Sequence, residues 1–244
     1  MTDKSINHDT HSLYEALLAI AREGQRADCE RFFKTAPGQY GEGDRFIGVR
    51  VPDCRRLCRS IHPAPQPFIS ELLHSPWHEM RFCGLVLLCT LFQKSKSEAE
   101  RKEIYELYKD HTHCINNWDL VDASAPIIPG SYMYDNASER PRLLQWARHG
   151  HLWEQRIAIV STLGFIRRGR VNETFSLSTI LLHHPHDLIH KAVGWMLREA
   201  GKRDRDRLTH YLMQHKDHMP RTMLRYAIEK YPPEERSVFM TKGA

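Results

Sequence analysis

Lys191-Ala192-Val193-Gly194-Trp195-Met196-Leu197-Arg198-Glu199 opens on a basic residue and runs at once into small and apolar ones, and that opening recurs along the chain. Arg81-Phe82-Cys83-Gly84, Arg156-Ile157-Ala158-Ile159 and Arg225-Tyr226-Ala227-Ile228 repeat it, so the four stand 75, 35 and 34 residues apart. The first step is close to two periods. A period of this length with two helices per unit is the signature of HEAT-like repeats, in which no helix pair buries its apolar face until a neighbour stacks on it. Apolar residues at helical spacing mark helices at 67–74, 76–93, 97–110, 138–148, 152–168, 174–182, 187–199, 204–214 and 220–231, after two shorter ones within 11–34. Strand-like alternation is absent, so the expected fold is all-α, a HEAT-like repeat α-solenoid with a concave basic groove. The expected organisation is a flexible tail over 1–10 and a single helical domain over 11–244.

In such a stack the second helix of each unit lines the concave face, which would bring the recurrent basic position into a groove. The competing account is that these Arg and Lys residues only tie neighbouring repeats together. Charge favours a polyanionic partner: residues 140–230 hold 17 Lys and Arg against 8 Asp and Glu, whereas the whole chain is only +5. A basic half of this kind suits nucleic acid. With 244 residues the chain buries about three quarters of its unfolded surface and needs no staples. The six cysteines show no CxxC and no secretory signal precedes them, which points to a reduced, cytoplasmic setting, nucleoid-associated in a bacterium. No apolar run is long enough for a membrane span, and a monomer is expected because a solenoid closes its own core.

One segment is composed for something other than a core. Asn116-Asn117-Trp118-Asp119-Leu120-Val121-Asp122-Ala123-Ser124-Ala125-Pro126 carries an indole and two acids within five residues. As a helix it places Trp118 and Asp122 four apart on one face, with Asp119 elsewhere. A first-turn acid is favoured by the helix dipole and an Asn is a natural N-cap, so Asp119, Asn116 and Asn117 have ordinary structural explanations. Asp122 has none. Trp118, Asp122, Arg156 and Trp195, with Lys191 and Arg198 flanking Trp195, form the candidate set. Gly41-Glu42-Gly43 imitates the start of a dinucleotide fingerprint, but no strand precedes it and Phe46 stands in place of the third glycine.

Asn117-Trp118-Asp119-Leu120-Val121-Asp122, Leu152-Trp153-Glu154-Gln155-Arg156-Ile157-Ala158-Ile159 and the opening segment 191–199 resemble, in order and spacing, the three signature regions of the AlkD family of DNA alkylation-repair glycosylases. The resemblance runs from about Phe32 to Tyr231. It implies a solenoid that grips duplex DNA and removes cationic purines alkylated at N3 or N7. It further implies that Asp122 is the catalytic carboxylate, that Trp118 and Trp195 hold the lesion's deoxyribose, and that Arg156 contacts a phosphate. No cofactor is implied. The chain departs from the family pattern in the Gly38–Arg45 loop and at Asn117, where an aromatic often stands.

The chemistry suits these residue types. An alkylated purine is already cationic and leaves as a neutral base, so the charge to be stabilised is that of the oxocarbenium-like sugar. One carboxylate suffices, and indole faces add cation–π stabilisation. No lysine is placed for a Schiff base, so an abasic site without strand cleavage is expected. Arg167, Arg168, Lys202 and Arg203 are the further candidates for phosphate contact, with Arg45, Arg50, Arg55, Arg56 and Arg59 as another basic cluster. His111-Thr112-His113-Cys114 and His183-His184-Pro185-His186 invite a zinc reading, but neither has the paired spacing of a structural site, and no metal ligand set is assigned. The alternative to an enzyme is a HEAT-type module that binds DNA or protein without chemistry.

Overall fold

The computed structural model describes residues 8–241, in two compact units divided in the chain between Ser124 and Ala125. Of the expected tail, residues 1–7 lie outside the described ones, and Thr10 already begins a helix under an Asp9 cap. The fold is all-α. Among the described residues there is no strand, only one bridge between Arg45 and Trp77, and no helix is long and apolar enough to cross a membrane.

The first unit contains α1 (Thr10–Leu18), α2 (Gln25–Phe32), α3 (Val51–Ile61), α4 (Gln66–Leu73), α5 (His78–Lys94), α6 (Glu98–Asp110) and α7 (Trp118–Ser124). Helix α5 is its axis: it is buried from His78 through Cys89 and packs against α3, α4, α6 and α7. A helix that is apolar all round must sit inside, because it has no face to give to water. The long loop before α3 is exposed over much of its first part and turns inward near its end. Phe46, Ile47 and Val49 belong to the core, and Glu79 of α5 accepts hydrogen bonds from the backbone N–H groups of Ile47, Gly48 and Val49 at 2.9, 2.8 and 3.1 Å. The loop is thereby anchored to the central helix.

The second unit contains α8 (Pro129–Asp135), α9 (Pro141–His149), α10 (Leu152–Arg167), α11 (Asn172–Ile180), α12 (Asp187–Gly201), α13 (Arg205–His215), α14 (Arg221–Ala227) and α15 (Pro233–Met240). The recurrent segments at Arg156, Lys191 and Arg225 fall on α10, α12 and α14, and α12 packs against both of the others. Gly194 is what permits the closer of these contacts: a Cβ there would stand 2.4 Å from the Met223 carbonyl oxygen. Sequence periodicity does not indicate α8 or α15. In α8 the pair Pro129-Gly130 reads as a turn, but the proline occupies the first helical turn, where it is tolerated. Gly130 lets α8 press onto α10, since a Cβ would meet the Ser161 carbonyl at 2.4 Å.

The second histidine run has a local use. His184 Nδ1 accepts from the His186 backbone N–H at 3.0 Å, His184 Nε2 meets Gln155 Oε1 at 2.8 Å, and His186 Nδ1 accepts from Leu188 N–H at 3.1 Å as the cap of α12. These rings hold the entry to the helix that carries Trp195. His151 does the same for α10, in a capping box with Glu154.

Candidate active site

Helix α7 is short, and its placement comes from what its first turn grips. The Asn117 carbonyl accepts the first helical bond, from Val121 N–H at 3.2 Å, and its side-chain Oδ1 accepts from Trp118 N–H at 2.9 Å. Trp118 stacks on Phe33 with ring centres 5.3 Å apart at 18°, and Phe32 meets it edge-on at 5.7 Å. Phe33 stacks in turn on Phe46 at 4.9 Å. The indole is therefore the outer member of an aromatic pile rooted in the core. Phe32 is 63% exposed, an unusual cost for a large apolar ring.

Beneath this pile lies a charged network without local sequence signature. His78, the first residue of α5, donates from Nδ1 to Asp44 Oδ2 and from Nε2 to Asp119 Oδ2, both at 2.8 Å. Arg81 Nη2 reaches Asp44 Oδ1 at 2.5 Å and Asn116 Oδ1 at 3.1 Å, while its Nη1 donates to the Ser75 carbonyl. Asn117 Nδ2 lies 3.4 Å from Asp44 Oδ2. Asp119 is therefore more than a first-turn acid favoured by the helix dipole: it turns inward and fastens α7 to α5. Its Oδ1 is buried without a partner among the described residues.

Burial alone would drive the His78 imidazole to its neutral form, but the Asp119 charge and hydrogen bond, with those of Asp44, outweigh it and raise the pKa to about 9. Burial likewise pushes the Asp44 carboxyl up, and the His78 bond and charge with Arg81 override it, leaving Asp44 below its ordinary value. The two shifts act on opposite flanks of the stability profile. A raised histidine contributes fully below its unfolded pKa of 6.5 and loses its contribution as pH climbs through 9; a lowered Asp contributes above 3.8 and loses it as pH falls further. His184, His186 and His215, lowered chiefly by burial, weaken the fold only below about 6.5. Urea unfolding between pH 6.5 and 9 is expected to show a falling midpoint, and a flat profile in that window would exclude a charged His78.

Asp122 stands one turn beyond Trp118 on α7, and both side chains are half-buried. In the second unit Trp195 on α12 is also half-buried. Arg156 is only 5% exposed, and its Nη1 donates to the Leu188 carbonyl at 2.6 Å, bracing α10 against α12. Of the four recurrent basic positions, Arg81 and Arg156 are thus interior braces, Lys191 is half-buried and Arg225 is exposed. Lys191 pairs with Asp187 at 2.8 Å, Arg198 with Glu199 and Glu229, Arg168 with Asp135, and Lys202 with Glu199. Arg167 and Arg203 are exposed, lie beside each other with Arg203 Nη2 at 3.4 Å from the Arg167 carbonyl, and have no acidic partner among the described residues.

The pattern of the family described as DNA alkylation repair enzyme matches residues 13–231. The chain belongs to the DNA alkylation repair enzyme family. That match spans the aromatic pile, α7 and the stacked helices α10, α12 and α14 of this family member. A solved structure described as a predicted DNA alkylation repair enzyme from Enterococcus faecalis shares the fold, with a TM-score of 0.67 at 16% identity, over 87% of this chain and 97% of that one. No curated protein matches.

Two features of this family member escape a reading of the sequence. Asp44, His78 and Asp119 are 34 and 41 residues apart, so no spacing rule links them. Phe32 and Phe33 look like the apolar end of a short helix, and only the fold shows them against Trp118.

Proposed function

We propose that the chain is a monofunctional DNA glycosylase that excises cationic N3- and N7-alkylated purines, such as 3-methyladenine and 7-methylguanine, from duplex DNA. The observation that supports it best is the division of labour on α7. Asp119 turns inward to His78, and Asp122 stands one turn beyond Trp118, an indole held edge and face by two phenyl rings. A binding scaffold that must accept phosphates gains nothing from a carboxylate there.

In the proposed reaction the C1′–N9 bond breaks with its electron pair going to the base, and that pair neutralises the cationic alkylated purine. The sugar carries the positive charge, and the Asp122 carboxylate opposes it and orients the water whose oxygen bonds to C1′ while its proton passes to solvent. Trp118 and, from α12, Trp195 are assigned to the deoxyribose. Lys191, Arg198, Arg156, Arg167, Arg168, Lys202 and Arg203 are assigned to phosphates. Exposed ion pairs such as Lys202–Glu199 are worth about 0–1 kcal/mol, so a phosphate can displace the acid.

Release of methylated purines from alkylated duplex DNA by the wild-type protein tests this reading, and DNA binding with no base release would favour the binding module instead. Arg167→Ala/Arg203→Ala is expected to lower the slope of log affinity against log salt by roughly 2 and to leave the unfolding midpoint unchanged. Arg156→Ala should lower the midpoint as well, because its guanidinium also braces α12. A salt slope equal to wild type in the double variant removes Arg167 and Arg203 from the interface.

A further inference from the structure

His74, at the end of α4, and the adjacent His113 and Cys114, in the 3-10 turn Thr112–Cys114 after α6, come together on the surface of the first unit. One ligand atom from each lies within 4.8 Å of the other two. Sequence spacing does not reveal this trio, because His74 is remote in the chain and joins the pair only when α4 packs beside the end of α6.

The surroundings are those that prepare an imidazole for a metal. His74 Nδ1 donates to the Ser70 carbonyl at 2.8 Å, which leaves the Nε2 lone pair directed away from the backbone. Metal-ligating histidines are commonly oriented in this way, by a hydrogen bond from the second ring nitrogen to a carbonyl or carboxylate. His111 completes the setting without being a ligand. Its Nδ1 donates to the Leu107 carbonyl at 2.7 Å and its Nε2 accepts from Ser70 Oγ at 3.0 Å, so both nitrogens are engaged. Its ring meets that of His74 edge-on at 4.9 Å and lies parallel to that of His113 at 6.1 Å.

We propose that His74 Nε2, His113 and Cys114 Sγ bind a divalent transition-metal ion of the zinc class, with water as the fourth ligand. Two imidazoles and a thiolate select zinc, cobalt or copper over magnesium and calcium, which require oxygen donors. A tetrahedral ion with bonds of about 2.0–2.3 Å sets its ligand atoms roughly 3.3–3.8 Å apart, so the trio closes by about 1 Å through side-chain rotation. Cys114 sheds its thiol proton to solvent as the bond to the metal forms. The ion would clip the end of α4 to the turn that leads, through Ile115, Asn116 and Asn117, into α7. It is a structural clamp and takes no part in the chemistry proposed for Asp122.

Cobalt titration of the full chain, stripped with chelator and kept reduced, tests the site. One equivalent should give a near-ultraviolet thiolate-to-cobalt charge-transfer band with the visible bands of tetrahedral cobalt, and zinc should abolish both. Cys114→Ser should lose the charge-transfer band, and His74→Ala and His113→Ala should weaken binding at least about tenfold, whereas His218→Ala leaves it unchanged. X-ray absorption of the zinc-loaded wild type, expected to show one sulfur and two imidazoles, serves should a variant fail to fold. Zinc should raise the thermal midpoint of wild type and not that of Cys114→Ser. Absence of the thiolate band, its persistence in Cys114→Ser, or an all-nitrogen zinc shell would overturn the proposal.

Discussion

Asp122→Asn is expected to release 7-methylguanine and 3-methyladenine from alkylated duplex DNA about 10²–10³-fold more slowly than wild type, while binding DNA as well or better. The size follows from the charge developed at C1′. One preorganised electrostatic partner contributes about 3–4 kcal/mol to a barrier of this kind, and an amide of the same shape offers only its dipole. Binding moves the other way because a carboxylate repels the phosphates around it, and the substitution removes that repulsion. Asp119→Asn supplies the contrast. It also removes one negative charge from α7, but Asp119 faces His78, so its principal effect should be on unfolding rather than on base release at temperatures where the protein is folded. Single-turnover base release with both variants, beside a binding isotherm for each, checks the pair of expectations. Equal rates for wild type and Asp122→Asn would remove Asp122 from the chemistry even if the activity is present.

The largest effect on stability is expected at His78. Replacing it with Leu leaves Asp119 buried without a counter-charge and Asp44 with Arg81 alone, and breaking a buried pair from one side costs on the order of 3–5 kcal/mol. Much of that is the penalty of the stranded carboxylate. His78→Leu/Asp119→Asn should therefore be less destabilised than the sum of the two single variants, with a coupling within the roughly 0.5–3 kcal/mol found for contacting residues. Urea unfolding of the four proteins at pH 6.5 measures it, since His78 is charged in the folded protein there. Additive effects would mean that the imidazole merely fills space between Phe33 and Phe46.

The first unit therefore commits a buried histidine, two acids, an arginine and two asparagines to holding one short helix. The reason lies in the helix itself. Seven residues are too few to be stable from propensity alone, so α7 takes its position from tertiary contacts. The proposed reaction needs a carboxylate held to a fraction of an ångström from a developing charge, and a rigid anchor on the neighbouring residue face supplies that.

Much of this protein follows from local pattern. The helical spacing of apolar residues, the lack of alternation and the return of a basic residue before a small-apolar run were sufficient to read an all-α fold and to align α10, α12 and α14, which do pack in that order. Trp118 and Asp122 share a face because a helix repeats at 3.6 residues, and that also needs no tertiary knowledge. What the recurrent basic residues do was not legible. Arg81 and Arg156 carry the same local pattern as Lys191 and Arg225, yet the first two are interior braces and Arg225 is exposed, since burial depends on which helix lies above. Asp119 likewise reads as an ordinary first-turn acid until His78 is seen against it. Periodicity and charge are properties of neighbours in the chain and were available from the sequence by itself. The Asp44–His78–Asp119 bridge, the pile beneath Trp118 and the meeting of His74 with His113 and Cys114 join residues tens of positions apart, and only the packing of loop and helices around α5 decides them.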